Sequence, residues 1–326
     1  MAVKDMALKA LTESCGTFLS GEELSNKLGV SRTAIWKAIN ALREEGHTIE
    51  AVTNKGYMLM ESGSSITAES LRAFLPSSYK SNSIHVFDVL DSTNIYAKQL
   101  AVQKAPHGTI VIAHRQTGGK GRLGRSFFSP KEGIYLSMII KPDFDISKSV
   151  LVTSAAAVAV AEAIEKVCSK HAGIKWVNDV YVDDKKVCGI LCEGINDFET
   201  GQIDSIIIGI GINTSLNGFP KELLDIAGAI PGDYSKAELA AEVIKRILDF
   251  TSDIESRNFI EAYKGKSLVI GKTVSVYKGV YRKDPREELP SRSARVLDID
   301  EDGGLMVLYS DGSRETLTSG EISIRL

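Results

Sequence analysis

Eighteen consecutive residues, His114 to Lys131, read HRQTGGKGRLGRSFFSPK. They hold four glycines (118, 119, 121 and 124), five Lys/Arg and no acid. Glycines let backbone N–H groups approach an anion, and the cations neutralise it. The stretch therefore suits a phosphate or a carboxylate. It is not a Walker loop, because GxxxxGK followed by Ser or Thr is absent. GKGRLG matches the letters of the dinucleotide fingerprint GxGxxG, but lacks its short strand-to-helix turn and its downstream acid. A second cluster is Lys175-Trp-Val-Asn-Asp179, followed by Lys185, Lys186 and Gly189. Asn178 and Asp179 fall between two short strands, where side chains can face a cleft. Lys186 enters an otherwise apolar strand and needs an anion there, unless it reaches solvent from the strand end. A third cluster, Gly209-Ile-Gly-Ile-Asn213, closes an apolar run. Small residues at a strand end admit close backbone approach by a flat ligand, or form a bulge and turn.

The elements that must carry these residues follow from periodicity. Ile84–Leu90, Thr109–Ala113, Ile134–Ile140, Ile174–Val177, Val180–Val182, Lys186–Glu193 and Ile203–Ile210 read as strands. Asp183-Asp184-Lys185 is a tight turn, with Lys185 toward solvent. Ser92 or Thr93 caps a helix running to about Gln103. Val150–Cys168 is a long Ala-rich helix, and residues 235–263 are mostly helical. Strands outnumber helices and come in hairpin-like runs, which predicts a mixed α+β sheet rather than a doubly wound parallel one.

The first sixty residues predict a separate module. Met6–Leu11 has helical spacing. Ser20 and Glu23 form a capping-box pattern, Gly29 stops that helix, and Ser31 caps a third that closes at Gly46. Ile35, Ala38, Ile39 and Leu42 lie on one face; Arg32, Thr33, Lys37 and Asn40 lie opposite. Two β-type runs flank a turn at Asn54, Lys55 and Gly56. This is the winged helix-turn-helix order. Lys27 to Arg43 holds four basic residues and no acid, which suits DNA. Ser31, Arg32, Thr33, Lys37, Asn40 and, at the wing, Lys55 are the candidate contacts. A packing module is the alternative, since residues 1–60 carry seven cations and seven acids. Trp36 could pack partly against the domain or read bases, and packing is the expectation. Glu61–Ser65 is a polar linker, and a second domain starts near Ile66. From about Lys266, short strands separated by Gly/Asp turns predict a third, small β domain, interrupted by the polar stretch KGVYRKDPREELPSRS. The boundaries are 1–62, 66–265 and 266–326.

The chain has 326 residues and a net charge of −3, with 43% hydrophobic and 25% charged residues. That composition excludes disorder, collagen and coiled coil. With net charge near zero, any anion contact must come from a local patch. Cys15, Cys168, Cys188 and Cys192 make no disulfide framework at this length. Cys188 and Cys192 share a strand face and read as core thiols. The apolar run Val150–Ile164 is too short for a membrane span, and no secretory signal opens the chain. The expectation is a reducing, cytoplasmic location with no membrane role.

GGKGRLGR at 118–125, KWVND at 175–179 with Lys186 and Gly189, and GIGIN at 209–213 resemble the motifs of biotin protein ligases in order and spacing. DSTN at 91–94 and Gln116 also fit. SRTAIWK at 31–37, NKGY at 54–57 and GEISIR at 320–325 resemble the bifunctional subclass that also represses the biotin operon. The resemblance covers essentially the whole chain. It implies a class II synthetase-like ligase domain, an SH3-like C-terminal domain, and two steps. Biotin and ATP give biotinyl-5′-AMP, and a lysine of a biotin carboxyl carrier protein then takes the biotinyl group. It implies that Ser92, Thr93, Asn94, Gln116, Lys120, Gly121, Arg122, Lys186, Gly189, Gly209 and Gly211 hold biotin. Gly119, Lys120, Arg122, Arg125, Phe127, Asn178, Lys186, Asn213 and Arg325 would hold ATP or the adenylate, although Arg325 at a strand end equally suits a salt bridge. Lys186 and Arg122 would be the catalytic pair. Mg²⁺ is expected with ATP, without a dedicated metal site. Operator DNA and a homodimer loaded with adenylate are the implied partners. Three positions depart from the family: Phe127 where Trp is frequent, Val177 where Pro is common, and Lys120 for a frequent Arg, which keeps charge but loses the bidentate fork. The alternatives are a ligase-dead biotin sensor, a lipoate-type acyl ligase, and a ligase whose N-terminal domain only steadies the site.

Overall fold

The computed structural model describes residues 3–14, 17–44, 49–52, 55–59, 66–144, 149–196, 203–277, 291–318 and 321–323. Cys15, Gly46, Asn54, the linker Glu61–Ser65, most of the polar stretch after Tyr277, and Arg325 lie outside these residues.

Three helices, α1 (Val3–Glu13), α2 (Gly21–Leu28) and α3 (Arg32–Glu44), precede a hairpin of β1 (Ile49–Val52) and β2 (Gly56–Leu59). The capping signals act as expected. The Ser20 hydroxyl accepts from Glu23 N at 3.0 Å, and Ser20 N donates to the Glu23 carboxylate at 2.7 Å. Gly29 ends α2 at φ +66°, which a residue with a side chain rarely adopts. Ser31 Oγ accepts from Ala34 N at 3.2 Å and so caps α3. Leu24, Ile35, Ile39 and Leu42 fill the small core with Ala7, Ala10 and Leu11 from α1. Trp36 departs from expectation. It is 56% exposed rather than packed, because the buried stripe of α3 runs through Ile35, Ala38, Ile39 and Leu42 and leaves position 36 outward.

The central region opens with α4 (Ala68–Phe74) and continues through β3 (Ile84–Leu90), α5 (Thr93–Val102), β4 (Thr109–Gln116), β5 (Ile134–Ile140) and α6 (Ser149–Cys168). β6 (Gly173–Lys175), β7 (Asp179–Val182), β8 (Lys185–Asn196), β9 (Ile203–Ile212), α7 (Lys236–Ser252) and α8 (Ile260–Gly265) complete it. Seven strands form one sheet in the order β3-β4-β5-β9-β8-β7-β6. Only β3–β4 is parallel, so the sheet is mixed, as the strand count predicted. The first strand of the KWVND hairpin is shorter than expected. It ends at Lys175, because Trp176–Asn178 form the turn that reverses the chain into β7. Lys185 is exposed, and its ammonium donates to Leu224 O and Asp225 O at 3.2 and 2.6 Å.

The sheet has two faces. The isoleucines of β5 and β9 at even positions pack with the alanine-rich α6 and with α7 in the main core. Odd positions Ile139 and Ile207 meet Ala97 and Ala101 of α5 on the other side. Small side chains let α6 approach the sheet closely. No helix among the described residues is long and apolar enough to cross a membrane.

A third unit holds β10 (Thr273–Tyr277), β11 (Arg292–Ile299), β12 (Leu305–Tyr309), β13 (Arg314–Leu317) and β14 (Glu321–Ser323). They form an antiparallel five-stranded sheet in the order β13-β12-β11-β10-β14.

Cys188 is fully buried and Cys192 partly so, on the strand face that meets α6. Burial pushes the Cys192 thiol up to about 11 and that of Cys168 up to about 12, and raises Cys188 as well. The thiolate is the reactive form. Iodoacetamide at pH 8 should therefore leave these three thiols of the folded protein unmodified and label all three in urea. Peptide mass spectrometry reads the outcome, and rapid native labelling of Cys188 would contradict its placement.

Candidate functional site

Alternation along β9 builds the floor of a cavity. Ile206, Ile208, Ile210 and Ile212 go into the core, so Gly209 and Gly211 face the opposite side. Register then aligns rows across the sheet: Tyr135, Gly211, Gly189 and Asp179 in one, Ser137, Gly209 and Leu191 in the next. Side chains from elsewhere fill the space the glycines leave. A Cβ on Gly211 would sit 2.3 Å from Phe127 Cε1, and one on Gly189 would sit 3.0 Å from Phe127 Cε2. A Cβ on Gly209 would sit 2.0 Å from Asn94 Oδ1. The aromatic that stands where the family favours Trp thus lies against bare backbone.

The basic loop folds back over this floor as a hairpin. Gln116 N donates to Ser129 O (3.1 Å), Phe127 N to Gly119 O (2.9 Å) and Gly121 N to Arg125 O (2.7 Å). Its tip bends through Leu123 and Gly124 at φ +60° and +74°. Gly119 shapes the loop rather than lining the cavity: a Cβ there would meet Phe127 O at 2.4 Å.

Buried polar groups at the start of α5 form one network. Thr93 N and Oγ1 lie 2.8 and 3.1 Å from Gln116 Oε1. Gln116 Nε2 donates to Ser129 Oγ at 2.9 Å. The Ser137 hydroxyl sits between Thr93 Oγ1 (2.8 Å) and Asn94 Oδ1 (2.6 Å). Asn94 Nδ2 donates to Glu193 at 2.8 Å, and Lys98 pairs with the same carboxylate at 2.6 Å. Ser137 and Glu193 escaped the sequence reading. A lone serine in the apolar strand IYLSMII was the one signal available for Ser137.

Two cations face the cavity with their positions already set. Lys186 Nζ lies 2.7 Å from Asp179 Oδ1. Arg122 Nη1 donates to Asn178 Oδ1 at 3.1 Å, while Asn178 Nδ2 donates to Ile190 O at 2.9 Å. The KWVND turn is itself tied to the C-terminal sheet and to α8. Trp176 Nε1 donates to Gly303 O at 3.0 Å in the β11–β12 turn, and Tyr263 Oη donates to Val177 O at 3.1 Å. Val177 is buried, so the turn is held without a proline.

All eleven residues predicted for biotin line this one cavity: Ser92, Thr93, Asn94, Gln116, Lys120, Gly121, Arg122, Lys186, Gly189, Gly209 and Gly211. Arg125, Phe127 and Asn178 of the adenylate set line it too. Asn213 does not. It lies one residue past β9, where its backbone bonds Val187 O and Ile230 N, and its buried Oδ1 has no hydrogen-bond partner among the described residues. In the N-terminal module, Arg32, Thr33 and Lys37 are exposed and Asn40 is half-buried. Ser31 is engaged as the helix cap, Arg32 pairs with Glu22 at 3.0 Å, and Lys55 lies 5.7 Å from the Phe18 ring centroid.

Comparison with known proteins follows this geometry. The Biotin/lipoate A/B protein ligase family matches residues 86–213, an HTH domain matches 6–58, and the Biotin protein ligase C terminal domain matches 288–325. The bifunctional ligase/repressor BirA of Bacillus subtilis (strain 168) is 39% identical over 248 residues, covering 75% of each chain. That of Escherichia coli (strain K12) is 35% identical over 202 residues, 62% of this chain and 61% of the relative. The biotin protein ligase from Aquifex aeolicus in complex with biotin and ATP superposes with a TM-score of 0.62 at 28% identity, covering 74% of this chain and 98% of that one.

Crowding on the floor separates two glycines. Gly209→Ala should destabilise the central unit by about 1–3 kcal/mol, because its Cβ must displace Asn94 from Ser137. Gly121→Ala meets nothing closer than 3.4 Å and should shift the melting temperature little. Thermal unfolding of both variants checks this; equal shifts would contradict the packing.

Proposed function

The chain belongs to the bifunctional biotin ligase/repressor family, and on that premise we propose that its central cavity joins biotin to AMP and passes the biotinyl group to a carrier-protein lysine. The observation that carries the reading is the pair of pre-positioned cations, Lys186 beside Asp179 and Arg122 beside Asn178, at one end of a cavity whose other end is the Thr93–Gln116 network.

The chemistry assigns each end a task. Thr93, Asn94 and Gln116 orient the uncharged polar head of biotin, and the bare glycine backbone seats Phe127 and Asn94 low enough to leave room for its flat ring above them. The carboxylate then points toward Lys186. One carboxylate oxygen forms a bond to the α-phosphorus of ATP, the bond to the bridging oxygen breaks, and pyrophosphate leaves. Negative charge gathers on the α-phosphoryl oxygens in this step. Fixed cations and loop N–H groups stabilise it without reorganising. Lys186 spans carboxylate and phosphate, and Arg122 with Lys120 covers the anhydride. Phe127 packs beside the adenylate, and Asn178 and Asp179 hold the two cations in place. In the second step the acceptor amine attacks the biotinyl carbonyl, AMP leaves, and the amine loses a proton. The folded-back loop keeps water from the anhydride meanwhile.

Among the described residues no group of three His, Cys, Asp or Glu could cage a metal ion, and Asp179 is already paired. Mg²⁺ is taken to come with ATP, as part of the substrate. The acceptor is a biotin carboxyl carrier protein or domain. The winged helix binds operator DNA, with the adenylate promoting a homodimer whose two modules meet two half-sites.

Pyrophosphate exchange into ATP tests the first step. Biotin should drive exchange in the wild type, and Lys186→Ala should cut it by roughly a hundredfold or more, the scale of losing one preorganised charge partner. Exchange driven by lipoate instead would establish the acyl-ligase alternative; exchange with neither acid, from folded protein, would overturn the ligase reading and favour a ligase-dead sensor. Sedimentation should show a rise from monomer to dimer mass when biotin and ATP are added together. An unchanged mass would remove the corepressor role.

A further inference from the structure

The outward face of α3 contains one feature that the ligase chemistry does not use. Arg32, Thr33, Trp36 and Asn40 are spaced by three and four residues, with Lys37 alongside, so they form one stripe. Within that polar, basic stripe Trp36 is 56% exposed. The other tryptophan of the chain, Trp176, is 5% exposed and hydrogen-bonded. An isolated exposed apolar residue needs no account. An indole at the centre of a cationic helix face has a specific chemical match. The DNA major groove presents a single apolar group on its base edges, the thymine 5-methyl, amid donors and acceptors that suit Asn and Arg.

We infer that Trp36 reads a thymine 5-methyl group in the major groove, as the apolar contact among the polar contacts of α3. The inference rests on the winged-helix reading above. Its geometry is a division of labour along one stripe. Lys37 and Arg32, the latter released from Glu22, reach phosphates and set the register, which carries no sequence information. Asn40 is placed one turn beyond Trp36 to meet an adjacent base edge. The indole covers the methyl group and removes both apolar surfaces from water. The cation stripe argues for nucleic acid over an apolar protein partner. A second copy of this chain would bring a like-charged stripe against it.

Removing the methyl itself tests this. Duplexes are selected from a random library by the full-length protein with biotin and ATP present. Each thymine of the selected sequence is then replaced singly by uracil. Wild-type protein should lose about fourfold in affinity at one thymine per half-site, the scale of one buried methyl group. Trp36→Ala should bind the thymine duplex at least tenfold more weakly and no longer distinguish uracil from thymine there. Trp36→Phe should keep part of the discrimination. Wild-type binding indifferent to every uracil replacement would overturn the inference, and so would full uracil sensitivity in Trp36→Ala. Failure of the wild type to select any sequence would instead remove the DNA reading and this inference with it. A fall in dimer mass on Trp36→Ala, with the uracil pattern intact, would reassign the stripe to contact between copies.

Discussion

Gly209 and Gly211 leave one face of β9 bare, and the geometry of the cavity follows from that. Their neighbours Ile206, Ile208, Ile210 and Ile212 commit the other face to the core, which fixes the strand's rotation. A slip of one residue would bury the glycines and expose the isoleucines, so the hydrophobic core enforces the register that opens the cavity. Gly189 on β8 extends the bare patch by pairing with Gly211. Phe127 and Asn94 then settle onto backbone, closer than any Cβ would allow. The cavity floor is thus a consequence of core packing on the far side of the sheet.

Cation placement follows the same economy. Lys186 is the second residue of the largely apolar β8, where an unpaired ammonium would be costly, and Asp179 on the adjacent strand answers it at 2.7 Å. Arg122 projects from a loop whose hairpin hydrogen bonds set its path, and Asn178 receives it. Asn178 and Asp179 are consecutive, so one turn orients both cations. That turn is anchored by Trp176 to Gly303 and by Val177 to Tyr263. Gly303, at φ +81°, presses so closely on α6 that a Cβ there would lie 2.8 Å from Ser154 Oγ. The small C-terminal sheet is thereby coupled mechanically to the cavity through one indole N–H, and Arg257 pairs with Asp302 of the same turn at 2.7 Å.

The N-terminal module uses different means. Its stability comes from caps and a compact apolar cluster, and its outward helix face is left to polar and cationic groups around Trp36. The ligase cavity and this stripe place opposite demands on their surroundings: one withdraws cations into a cleft against fixed partners, the other presents them to solvent.

Much of this was legible from residue order. Glycine and charge spacing marked the basic loop, unbroken apolar runs marked β5 and β9, and Ser20, Glu23, Gly29 and Ser31 marked helix ends. These signals are local, since each depends on a residue's own backbone preference or on neighbours within one turn. What the order of residues could not show was partnership across the fold. Ser137 and Glu193 join Asn94 only because β5, β8 and α5 meet, and Trp176 finds Gly303 across 127 positions. Whether Trp36 lay in or out depended on which helices covered α3. Val177 ended in a turn rather than a strand because the hairpin needed residues 176–178 to reverse. Sequence alone determined which chemistry the chain carries and the elements that bear it. Tertiary structure decided which side chains hold that chemistry in place, because hydrogen-bond partners and burial are set by contacts between segments far apart in the chain.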